Sequence, residues 1–167
     1  MHLLKSLSIS ALSLGFLAAC GGGETADPNA GAEMLDNGMT VKAQIEARQE
    51  GFKAIGKNFK TISDQLKAGS PDIAAIQAAS SELSMVGADM DTWFPEGTGP
   101  ESGVETEALA LIWQELDDFN GVVMDSQTAL DALDAAAQTG DVAAISAAFQ
   151  TAGGTCKACH DKFRLDD

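Results

Sequence analysis

Between Asn37 and Phe163 apolar residues recur every three or four positions, in four runs separated by Gly, Pro and Ser. In the first run Val41, Ile45, Phe52, Ile55, Phe59, Ile62 and Leu66 share one stripe, with Arg48 as its charged member. That period is the mark of an amphipathic helix with one buried face. It predicts a helix from about Asn37 to Ala68, stopped at Gly69. Ser70-Pro71 then supplies the N-cap and first position of the next helix. The second run, Ile73, Ile76, Ser80, Leu83, Gly87 and Met90, predicts a helix ending near Asp91. The third helix is expected to begin between Ser102 and Thr106, where Ser102 and Glu105 have capping-box spacing. Its stripe is Leu109, Ile112, Leu116, Phe119, Val123, Ser126, Leu130, Leu133 and Ala137. Gly140 ends it, and Asp141 can cap a fourth helix with the stripe Val142, Ile145, Phe149, Ala152, Cys156, Cys159 and Phe163. Four such helices with mostly short connections predict an all-α fold, an antiparallel four-helix bundle over residues 37–167.

Composition agrees: the chain has no Tyr, is rich in Ala and has few β-branched runs. Its 167 residues suit one domain of ordinary size. Residues 1–19 stand apart, with a short basic start at Met1–Lys5 and an apolar run from Leu7 to Ala19. That run is too short to span a bilayer and reads as a signal peptide. It ends Leu17-Ala18-Ala19-Cys20, which resembles the lipobox of bacterial lipoproteins, so Cys20 is the expected lipidation site. An ordinary cleavable signal with a chance Cys is the alternative. Residues 20–36, which include Gly21–Gly31, have the composition of a flexible linker. Export follows from either reading.

Candidate chemistry lies near the C-terminus. Cys156-Lys157-Ala158-Cys159-His160 is a C-x-x-C-H sequence, the attachment pattern of a c-type haem. Two thiols one helical turn apart can both reach the vinyl groups of one porphyrin, and the adjoining imidazole of His160 can reach its iron. A thioredoxin-like C-x-x-C belongs in a β-α-β context, and no strand pattern occurs here. Zinc needs four ligands, and the remaining Cys20 and His2 lie in or beside the signal segment, which leaves zinc short of a ligand unless a carboxylate fills in. Both cysteines of the motif fall on the apolar stripe of the last helix, which puts the haem inside the bundle near that helix. Arg48, a charge on an apolar stripe, either pairs with a haem propionate or snorkels to water. Gly153-Gly154 allows close approach of a helix or the macrocycle, or else a kink. Met85, Met90 and Met124 read as core filler.

Four stretches stand out together: Arg48-Gln49 with Phe52; Phe94-Pro95-Glu96-Gly97-Thr98; Thr106-Glu107-Ala108-Leu109 with Ile112-Trp113; and Cys156–Asp161 with Arg164. Through them the chain, from about Gly38 to Arg164, resembles cytochrome c′, the four-helix-bundle class of c-type cytochromes. The resemblance implies one haem c bound covalently through Cys156 and Cys159, with His160 as the iron ligand. It implies further that Arg48 and Gln49 belong to the cofactor site, Arg48 near a propionate. Arg164 would sit beside the proximal face and Phe52 over the distal face. Low-spin relatives have Met at the Phe52 position. Phe cannot ligate, so the resemblance implies five-coordinate iron. A lipid anchor and Phe163, where Tyr is common, depart from the usual family pattern.

The formal charge is −15, and loss of Lys5 with residues 1–19 makes it −16. That sign disfavours nucleic acid and favours a redox partner with a basic docking surface. The function expected is single-electron transfer in the periplasm, on a membrane reached through the lipid anchor, the outer membrane of a Gram-negative bacterium. The alternative is binding of nitric oxide or carbon monoxide at the open distal site. No distal acid or base is offered, so the chain does not read as an enzyme. A homodimer through the first two helices is a further implication of the resemblance.

Overall fold

The first apolar stripe becomes α1, Val41–Lys67, in the computed structural model, which describes residues 29–165. The signal segment, Cys20 and the final Asp166-Asp167 lie outside the described residues. Thr40, not Asn37, caps α1: its Oγ1 accepts from the Ala43 amide at 3.1 Å. Gly38 turns the chain at φ 82°, a left-handed conformation, so Asn37 stays outside the helix. Part of the stretch read as linker is tied to the bundle. Val41 and Lys42 amides donate to Glu33 and Gly31 carbonyls at 2.9 and 3.0 Å.

Helix α2 is Ile73–Gly87. Its N-cap is Asp72 rather than Ser70, because the Asp72 carboxylate accepts from the Ala75 amide at 3.1 Å. The helix stops at Gly87 and a 3₁₀ turn, Met90–Trp93, follows. The next long helix starts later than the periodicity predicts. Ser102 closes a turn, donating to the Gly99 carbonyl at 2.7 Å, so it caps no helix. Residues 107–109 are held extended against the C-terminus: Leu109 N–H donates to Phe163 O at 3.0 Å, and Leu165 N–H to Glu107 O at 2.8 Å. A segment whose amides are used in this pairing cannot also join a helix. One helical turn, α3 (Leu111–Gln114), precedes α4, Leu116–Thr139. Gly140 ends α4 in the left-handed conformation at φ 71°, and Asp141 caps α5, Val142–Phe163, through the amides of Ala143 and Ala144.

The four long helices form the bundle, with α1 against α2, α2 against α4 and α4 against α5. Ile45, Ile62, Ile76, Leu83, Ile112, Phe119, Val123, Leu130, Leu133, Ile145 and Phe163 are fully or almost fully buried. Each such side chain contributes about 1.5–3 kcal/mol relative to exposure. Leu116 and Val142, both on predicted stripes, are exposed, since each is the first residue of its helix. Met90 is core, but Met85 and Met124 are about 65 % exposed. Gly87 is on the buried stripe for a steric reason: a Cβ there would stand 2.7 Å from Leu130 Cδ1. The α2–α4 interface also carries polar bonds. Ser80 and Ser81 hydroxyls donate to Asp134 Oδ1 at 2.8 Å, and Ser84 to Asp131 at 2.6 Å.

By contrast, α1 and α5 approach closely at few points. One is the stack of Phe59 on Phe149, with ring centroids 4.4 Å apart. Phe59 also lies over Gly153, where a Cβ would be 3.7 Å from its ring, while a Cβ at Gly154 would meet nothing within 4 Å. An added Cβ would thus make only ordinary contact at Gly153 and none at Gly154, so no element among the described residues packs closely enough here to require glycine, and α5 runs through the pair unbroken.

Candidate haem site

The last two turns of α5 carry Cys156, Cys159 and His160 in helical conformation. Both thiols are half-buried, and Cys159 packs against the core. Burial raises the pKa of Cys156, and burial with the neighbouring Cys156 raises that of Cys159 to about 11. These are apolar surroundings, suited to a hydrophobic macrocycle. His160 lies at the surface. Partial burial of its ring, and then the Arg164 guanidinium, hold its pKa below the usual value, against the opposing pull of Asp161 and Glu107. Its imidazole is therefore neutral at neutral pH, the form that binds a metal. Among the described residues no three His, Cys, Asp or Glu side chains are grouped to hold a metal ion alone. A haem brings four nitrogen ligands of its own and needs one from the protein, so this donor set suits haem better than zinc.

Arg48 does not snorkel: it is only 3 % exposed. Its guanidinium donates to Thr98 Oγ1 at 3.2 Å, Thr98 O at 2.9 Å and Thr106 Oγ1 at 2.9 Å. It also lies 4.6 Å above the Phe94 ring. Burial lowers its pKa to about 10. All three acceptors are uncharged. A buried cation supplied only with neutral oxygens is a fitting partner for an anionic group such as a propionate.

Phe52 is half-buried on α1. It meets Trp93 edge to face at 5.1 Å and Phe94 at 6.1 Å. Phe94 continues the contact to Phe119 at 4.8 Å, and Phe119 to Phe163 at 5.2 Å. Gln49 donates to the Glu105 carbonyl at 3.1 Å, tying α1 to the segment before α3. Arg164, the residue after α5, pairs with Glu107 at 2.8 Å, and its amide donates to His160 O at 3.2 Å. The loop between α2 and α3 thus meets α1 at Arg48, Gln49 and Phe52 and the end of α5 at Phe163–Leu165. Thr98, Thr106 and Trp93 have no role in the sequence reading beyond marking matched stretches, or none at all for Trp93. A Trp-Phe pair inside a polar loop marks aromatic packing there, but not the residues it packs on.

A family model described as "Cytochrome C'" matches residues 43–164. Cytochrome c′ of Pararhodospirillum photometricum is 35% identical over 124 residues, covering 74% of this chain and 97% of that protein. The crystal structure of cytochrome c′ from Thermochromatium tepidum superposes with a TM-score of 0.71 at 32% identity, covering 77% of this chain and 98% of that one. A nitric oxide complex of a single-residue variant of cytochrome c prime from Alcaligenes xylosoxidans superposes with a TM-score of 0.69 at 28% identity, covering 76% and 97%.

Proposed function

Because this chain belongs to the cytochrome c′ family, we propose that it keeps one axial position of its haem iron open for small uncharged diatomic ligands, nitric oxide first among them. Its cofactor is haem c, the covalent cofactor of that family. When bound, haem supplies a redox-active iron with room for a further ligand. The protein supplies the rest. Cys156 and Cys159 fit the two thioether bonds, and His160 offers a neutral imidazole from the proximal side. Arg48 holds a buried positive charge ready for a propionate. Phe52 covers the distal face and cannot ligate. The observation that carries the reading is the setting of Phe52, whose ring-contact neighbours Trp93 and Phe94 cannot ligate either. The structurally similar protein from Alcaligenes xylosoxidans was solved with nitric oxide bound, which supports it.

The test is the optical and spin-resonance spectrum of the purified protein, ferric and ferrous, with and without nitric oxide. Five-coordinate, largely high-spin iron that takes up nitric oxide is the expected result. A ferrous spectrum already six-coordinate and methionine-ligated overturns the reading. Phe52→Met should drive the iron toward that low-spin state. Phe52→Ala should speed carbon monoxide association, at a stability cost of about 3 kcal/mol for a half-buried Phe.

Single-electron transfer is the second reading, favoured by the surface position of His160, which leaves the cofactor end of α5 within reach of a partner. Both readings place the protein in the periplasm, anchored through lipid on Cys20. The lipobox-like Leu17–Cys20 supports that anchor. The mature protein should then partition into detergent and stay with membranes after a salt wash, and Cys20→Ser should release it. Wild-type protein found wholly in the soluble periplasmic fraction would mean an ordinary cleavage site.

A further inference from the structure

We infer that Trp93 is a positioning residue for Phe52 and, through it, sets how fast a diatomic ligand reaches the iron. The inference rests on the reading of Phe52 as the cover of the distal face.

It begins at Gly51, the residue before Phe52 on α1. A Cβ there would stand 2.5 Å from Trp93 Cη2 and 2.9 Å from Cζ2 and Cζ3. Carbon atoms do not pack that closely, so the six-membered ring of the indole occupies the place of a side chain on α1. From this seat the indole meets Phe52 at an interplanar angle of 87°. The seat itself is held. Gln44, also on α1 and buried, donates to the Trp93 carbonyl at 3.3 Å. Trp93 ends the 3₁₀ turn that buried Met90 begins. The next residue, Phe94, lies under Arg48, and its carbonyl accepts from Trp113 Nε1 at 3.2 Å. These bonds fix the loop backbone on both sides of Trp93, and Phe52 and Trp93 are both half-buried, ring against ring. A ligand arriving at the distal face must displace the Phe52 ring. That motion first breaks the edge-to-face contact with Trp93. Such contacts are worth enough to slow it by about 2- to 10-fold.

The test measures carbon monoxide association with the ferrous holoprotein after flash photolysis. Trp93→Ala should speed it about 2- to 10-fold, and Trp93→Phe, which keeps an edge-to-face ring, should stay near the wild-type rate. Gly51→Ala retains the indole but pushes it off its seat, and should also speed association. Ala also favours the helix, so this variant keeps the test open if Trp93→Ala fails to fold. Adding Trp93→Ala to Phe52→Ala should change the rate no further. The ultraviolet resonance Raman difference between the carbon monoxide and ferrous forms should show shifted indole bands, and Phe52→Ala should abolish that shift.

The outcomes separate the two ideas. If Phe52→Ala leaves the rate unchanged, the covering role of Phe52 fails. If Phe52→Ala is fast while Trp93→Ala and Gly51→Ala match wild type, the role of Trp93 alone fails. Additive effects in the double variant would also overturn it, since they would mean that Trp93 acts without Phe52.

Discussion

At the scale of single residues, Arg48 shows how much one side chain's surroundings matter. Its place on an apolar stripe marks it as unusual, but the stripe does not say whether the guanidinium reaches water. The answer lies fifty residues away, in Thr98 and Thr106, whose oxygens hold it inside. Arg48→Met removes three hydrogen bonds to a charged group and also relieves the cost of burying that charge. A net loss of about 2 kcal/mol in chemical denaturation is expected. Thr98 is itself fully buried, so its loop should loosen in the same variant. The cysteines allow a sharper test. Wild-type haem should survive acid-acetone extraction, and the Cys156→Ala, Cys159→Ala double variant should lose it. Haem lost from the wild type would remove the thioethers from the account. Cys156, Cys159 and His160 stand out in the sequence because the motif is local, contained in one turn of helix. Trp93 does not, since a Trp in a loop gives no sign of the glycine it rests on.

At the scale of elements, caps and interfaces set the helix ends. Asp141 accepts from two amides at the start of α5, immediately after Gly140 has ended α4. Asp141→Ala should cost about 1 kcal/mol, measured by thermal melting, without altering the haem spectrum. The α2–α4 interface makes a pH prediction. Burial pushes the Asp134 carboxyl up, but donation from Ser81, Gln138 and Ser80 outweighs it and leaves the pKa below the ordinary 3.8. A carboxyl with a lowered folded-state pKa stabilises the fold above its unfolded value, and that contribution is lost as pH falls through the folded value. Acid denaturation below about pH 4 should therefore be shallower in Asp134→Asn than in wild type. Ser80 can still donate to the Gln77 carbonyl at 3.0 Å, so the variant should remain folded at neutral pH.

At the scale of the whole molecule, charge is divided. Every Lys and Arg among the described residues lies on α1, on α5 or at Arg164 directly after it, and none occurs between Ala68 and Cys156. Asp and Glu recur throughout that interval, which includes α2 and α4. Several α1 lysines are paired within their own helix, as Lys53 is with Glu50 and Lys60 with Asp64, both at 2.6 Å. Exposed pairs of this kind contribute little to stability. Their effect is on the field, leaving α4 and the segment before it, with Glu82 of α2 beside them, as the acidic side. A basic redox protein should associate more slowly as salt rises, because screening is strong beyond about 8 Å at physiological ionic strength. Replacing Glu82, Asp125 and Asp131 with their amides should flatten that dependence. Rates indifferent to salt would exclude steering by this face. Among the described residues no helix is long and apolar enough to cross a membrane.

What the sequence determined by itself is what depends on near neighbours. Helical periodicity, the Gly140-Asp141 junction and the C-x-x-C-H turn each need only a few consecutive residues, and all of them were legible. The bundle followed, since four apolar stripes must bury one another. The late start of α4 was not legible. Leu109 continues the helical period, yet residues 107–109 pair with 163–165 far along the chain, and that pairing takes the backbone groups a helix would use. Neither was the burial of Arg48, nor the exposure of Leu116, Val142, Met85 and Met124, legible from the period, which gives a face but not what covers it. The seating of Trp93 on Gly51 belongs to the same class. Tertiary structure decided each of these, because each depends on two segments distant in sequence meeting at one point, and no local pattern records where they meet.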